Sequence, residues 1–105
     1  MPHFALRMSK GPRYDHSRSR REQESWDEHA AFMDGLVENG FVVLGGPIGD
    51  GEQTMLVLEA EDEEEIRRRF EADPWTPMQI LEIATIEPWT IWLDGRKAGA
   101  AASSA

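Results

Sequence analysis

The sequence predicts a single α+β domain, and three observations predict it. Two segments, about 21–39 and 63–71, space their apolar residues at the helical period. Four short apolar runs lie before, between and after them. Gly, Pro, Asn or Asp punctuates each junction, so the order reads strand–helix–strand–strand–helix–strand.

Residues 3–8 alternate, with Phe4, Leu6 and Met8 on one face, as a first strand with one buried side would. Residues 9–20 form a long loop carrying Gly11, Pro12, several serines and Arg13, Arg18 and Arg20. Connections usually run to about 4–6 residues, so a loop this long is either functional or mobile. In the first helix, Arg21 to Asn39, the residues Trp26, His29, Ala30, Met33, Leu36 and Val37 fall on one stripe. Asn39-Gly40 stops it, because Gly enters the left-handed region without steric cost.

Phe41–Leu44 is a continuous apolar run, expected as a buried strand, and Gly45–Gly51 is expected to turn the chain. Thr54–Glu59 returns as the second arm of a hairpin. Asp62 is placed to cap a second helix from Glu63 to Glu71, with Glu65 completing a capping box. Glu63/Arg67, Glu64/Arg68 and Glu65/Arg69 stand at i, i+4 in the favourable order, and Ile66 and Phe70 are the apolar anchors. Asp73-Pro74 ends the helix, since a residue before proline avoids the helical region. Met78–Leu93 reads as a long last strand, with Pro88 marking a bulge, an edge or a break.

Right-handed crossovers turn this order into a split βαβ, ferredoxin-like arrangement: a four-stranded antiparallel sheet with both helices on one face. The other face lies bare, and in so short a chain a second copy is its natural cover, so a homodimer is expected. The domain is expected to span 1–94, with 95–105 as a disordered tail of small residues.

Composition narrows the function. Of 105 residues, 40% are hydrophobic and 30% charged, the balance of a globular chain. Cysteine is absent, which removes disulfides, thiolate metal sites and a cysteine nucleophile. No segment has the length and apolarity of a signal peptide or membrane span, so a cytoplasmic protein is expected. The formal net charge of −9 disfavours nucleic acid and anionic membranes as partners. More than half of the basic residues nevertheless lie between Arg7 and Arg21. That stretch is either a solvated loop or an attractor for a small anion.

His29 interrupts the apolar stripe of the first helix, either as a hydrogen-bonded core histidine or as a proton carrier half-shielded at a pocket. Asp73 is either turn chemistry or a carboxylate that fixes the tautomer of His29. The glycines of 45–51 lack the Gly-Lys-Ser/Thr ending of a phosphate loop and precede a strand, so they read as a turn. No metal-ligand spacing and no redox cofactor motif is present, and none of either is expected.

His29 on the first helix, Gly46-Pro47 after the second strand and Asp73-Pro74-Trp75 after the second helix together resemble the YCII-related (YciI-like) family. The resemblance covers residues 2–93 and implies a dimeric α+β barrel of ferredoxin-like subunits, with a His–Asp site in a cleft. It makes His29 and Asp73 the catalytic candidates, and Gly46, Pro47, Trp75 and Trp26 the candidates for holding substrate. The family includes a dehydrochlorinase of a hydroxylated chloroaromatic, which implies acid–base elimination or isomerisation without a cofactor. Many members carry a basic residue where this chain has Trp26, and the loop arginines are the available replacement. The expected partner besides a second copy is a small organic, anionic or phenolic molecule. Two readings compete with catalysis: a dimeric module that only binds a small ligand, and a structural partner of a larger protein.

Overall fold

A computed structural model describes residues 1–96; the expected tail from 97 onward lies outside the described residues. The strands are β1 (His3–Lys10), β2 (Val42–Ile48), β3 (Gln53–Glu59) and β4 (Leu81–Pro88), and the helices α1 (Trp26–Glu38) and α2 (Glu63–Phe70). They form a four-stranded antiparallel sheet of order β2-β3-β1-β4, the ferredoxin-like order expected from the sequence. Among the described residues no helix is long and apolar enough to cross a membrane.

The alternation of β1 decides which face is covered. Phe4, Leu6 and Met8 are buried and pack with Leu56 and Leu58 of β3, Leu36 of α1, and Ile66 and Phe70 of α2. On the opposite face Ala5 pairs with Val57 and Arg7 with Met55. There Leu44, Val57, Trp89, Ile91 and Leu93 wall a shallow cavity of about 270 Å³, and Leu44 and Leu93 are 55% and 67% exposed.

Several elements differ from expectation for identifiable reasons. The first helix starts at Trp26 because polar side chains close a separate 3₁₀ turn at Arg20–Glu22 first, where the Glu22 carboxylate accepts from the Ser19 N–H. Its buried stripe includes Phe32, whose ring meets Phe70 edge-on at 5.9 Å, while Val37 is exposed. Gly45-Gly46-Pro47 stays extended within β2 and does not turn. β2 is an edge strand, which tolerates a residue without an N–H. The turn comes later, with Gly49 and Gly51 at φ 58° and 86°. The last strand is shorter than expected because residues 74–80 form successive turns. Its irregularity lies at Ala84, skipped between the Arg7–Thr85 and Met8–Ile83 pairs, and Pro88 closes the strand opposite Phe4.

The basic loop is built rather than slack. β1 runs on to Lys10, and the Gly11 and Arg13 N–H groups donate to the carbonyls of Ile80 and Gln79 at 2.8 and 3.0 Å. Gly11 is required there, since a Cβ would run into the Gln79 carbonyl. Tyr14 is buried, and Gln23 ties the loop together, accepting from the Asp15 N–H and donating to the carbonyls of Asp15, Arg18 and Ser19.

Candidate functional site

α1 presents His29 toward the segment that follows α2, and the two meet across 44 residues of sequence. His29 Nδ1 lies 3.0 and 2.9 Å from the two carboxylate oxygens of Asp73. Both residues are largely buried, at 6% and 1% exposure. The carboxylate is held by its own turn: Asp73 Oδ1 also accepts from the Trp75 N–H at 2.9 Å, and the Asp73 carbonyl accepts from the Thr76 N–H. Turn chemistry and pairing with His29 are therefore not alternatives, because one oxygen serves both.

Trp75 supplies the second constraint. Its ring lies parallel to the imidazole, 3.8 Å between centroids and 6° between planes. The indole Nε1–H donates to the Glu24 carbonyl at 2.6 Å, so the ring is pinned at the residue before the Ser25 cap of α1. Trp26 leans on both rings at 5.8 and 5.7 Å with 49° tilts. Ser25 enters the helix at φ 60°, a conformation costing on the order of 1–3 kcal/mol that persists only where the surroundings over-determine it.

This geometry settles how the imidazole can act. A carboxylate accepts only, so Nδ1 carries the hydrogen, shared between the two oxygens of Asp73. In the neutral ring the lone pair is then on Nε2. That nitrogen makes no hydrogen bond among the described residues and is not sealed from solvent. With one face stacked and the Nδ1 edge bonded, Nε2 is the position through which the ring can exchange a proton.

The other sequence candidates are placed differently. Trp75 is fully buried and contacts His29, so it orients the imidazole and offers a ligand no surface. Trp26 is half-buried beside the pair. Gly46 and Pro47 lie in β2, opposite Met55 and Thr54, and no hydrogen bond or ring contact joins them to His29 or Asp73. The strand continues through them, which takes them past the position a turn would have given. Sequence reasoning missed Gln23 and the Glu24 carbonyl, since neither a loop glutamine nor a backbone oxygen announces its partners in sequence.

No curated protein matches this sequence significantly. Among solved structures it is similar to 5-chloro-2-hydroxyhydroquinone dehydrochlorinase from Burkholderia phenoliruptrix AC1100, in complex with 2,5-dihydroxybenzoquinone. The TM-score is 0.54 at 25% identity, over 83% of this chain and 93% of that one. The model of the YCII-related domain matches residues 6–90, with both members of the buried pair inside it, and the chain belongs to the YCII-related family.

Proposed function

We propose that this protein is a cofactor-independent acid–base enzyme, of the lyase or isomerase type, acting on a small organic substrate of anionic or phenolic character. One observation carries the reading: a buried imidazole whose Nδ1 is held by Asp73 and whose Nε2 is left without a protein partner. A core histidine serving structure alone has no need of a buried carboxylate, which is costly to desolvate. The similar dehydrochlorinase supports small-molecule chemistry on this fold.

In the proposed reaction Nε2 takes a proton from a hydroxyl or a saturated carbon of the substrate. The electron pair of that O–H or C–H bond either moves into a new double bond, relayed through the conjugated system of the keto tautomer in a chlorinated hydroxyaromatic, as a halide departs with its own pair, or shifts so that the proton returns at another atom. Asp73 stabilises the imidazolium formed in either case, and the face of Trp75 adds a cation–π contribution. General acid–base help of this kind typically contributes about 10²–10⁴-fold. A homodimer is part of the proposal, supported by the exposed Leu44 and Leu93 on the sheet face that the helices leave open.

The test follows halide release from chlorinated hydroxyaromatics together with direct measurement of substrate affinity. His29→Asn is expected to lose about 10²–10⁴-fold in turnover while substrate still binds. In ¹⁵N NMR the wild-type ring is expected as the Nδ1–H tautomer, a preference that weakens in Asp73→Asn. A chain that binds such molecules equally well with Asn at position 29, and turns none of them over, would be a binding module and not an enzyme.

A further inference from the structure

The long basic loop takes no part in the His29–Asp73 pair, yet it walls a cavity of about 410 Å³. The walls are Arg13, Asp15, Arg18, Gln23 and Glu24, and Met78 and Ile80 are the apolar side. We propose that this cavity is a binding site for a small organic carboxylate with an apolar body, anchored on Arg13.

The balance of hydrogen-bonding groups in the cavity favours an acceptor-rich ligand. Asp15 is committed: Oδ1 accepts from the Ser17 N–H and hydroxyl at 2.9 and 2.6 Å, and Oδ2 faces Arg18 Nε at 3.5 Å. Gln23 is committed to the loop backbone and leaves little for a ligand. Arg18 uses only its Nε, so its terminal nitrogens are free to donate. The Arg13 side chain makes no hydrogen bond, ion pair or ring contact among the described residues. The five N–H donors of Arg13 and the four that Arg18 keeps thus line a cavity with one uncommitted carboxylate, that of Glu24. Donors outnumber acceptors, and the ligand that balances them is rich in acceptors. A carboxylate matches the planar fork of a guanidinium, and the partly exposed Met78 beside buried Ile80 calls for an apolar body.

The placement is held on both sides. The backbone of Arg13, whose side chain is exposed, is fixed through its N–H to the Gln79 carbonyl, and Gln79 stands at φ 59°. Glu24 is fixed through its carbonyl to Trp75 and is followed by Ser25 at φ 60°. Strained residues therefore adjoin the wall at Glu24 and at Ile80. This is where a chain stores strain when a cavity must keep its shape. The overall charge of −9 opposes capture of any anion, and in the cavity Asp15 and Glu24 balance the two arginines in charge, so recognition rests on the uncommitted guanidinium donors.

The site does not depend on the chemistry proposed for His29, and the experiment separates the two. The full chain is titrated with benzoate, and separately with the neutral isostere benzamide, while NMR follows the Arg13 Nε–H, the Gln23 side-chain amide and the Met78 methyl. Benzoate is expected to shift these three signals, with benzamide at least about tenfold weaker. Arg13→Gln lowers benzoate affinity by at least about tenfold, Glu24→Gln raises it, and His29→Asn leaves it unchanged. Equal binding of the two probes, shifts confined to other residues, or an affinity indifferent to Arg13→Gln would each overturn the proposal.

Discussion

The two helices are built on opposite principles. α2 is held largely by rules that act within a few residues. Asp62 caps it by accepting from the Glu65 N–H at 2.8 Å, and Glu65 reaches back to the Glu61 N–H. The Glu63–Arg67 and Glu65–Arg69 pairs close at 3.5 Å along its surface. α1 has less such support: Ser25 at its N-cap makes no side-chain hydrogen bond, and its acidic first turn has no basic last turn to match, so local rules act mainly at its C-terminal end, where Gly40 stands at φ 82°. What holds α1 comes from far away in sequence, through Asp73 on His29, Trp75 on the Glu24 carbonyl and Phe70 against Phe32. The helix carrying the chemical group is thus the one whose position depends on the rest of the fold.

Substitutions sharpen that contrast, and the largest effect belongs to Trp75→Ala. This fully buried ring supports the imidazole and pins the start of α1. Its loss is expected to cost about 3–5 kcal/mol in urea unfolding, a large part of the roughly 5–15 kcal/mol of a typical domain. Asp62→Ala, which removes only a local cap, is expected to cost about 1 kcal/mol. Glu63→Gln breaks an exposed pair and should change stability by a few tenths of a kcal/mol, an effect that vanishes in high salt. A cap costing more than the buried indole would reverse the comparison and make α2 the keystone of the fold.

Legibility in the sequence followed the same division. The cap, the ends of α2 and two of its three expected ion pairs were readable because their causes lie within a few residues of their effects; Glu64 and Arg68 do not close an ion pair among the described residues. The strand order followed from element order and crossover handedness. His29 and Asp73 were readable as candidates, but their 2.9 Å contact was not, since periodicity says nothing about which turn a helix faces. Gly45-Gly46-Pro47 misled for a related reason: breaking residues predict a turn only where the strand has neighbours on both sides. The basic loop was visible as composition, whereas its order depends on Gln23 and on carbonyls of residues 79 and 80, which carry no compositional mark.

The position of β1 has a consequence for synthesis. It occupies the interior of the sheet between β3 and β4, so Phe4 must wait for Leu58 on one side and Pro88 on the other. During translation the first strand emerges with both hydrogen-bonding edges unmet, and its second neighbour arrives only near the end of the described chain. Sheets assembled from such distant pairings fold slowly and expose sticky edges meanwhile. The growing chain therefore has most need of a chaperone while β4 is still inside the ribosome.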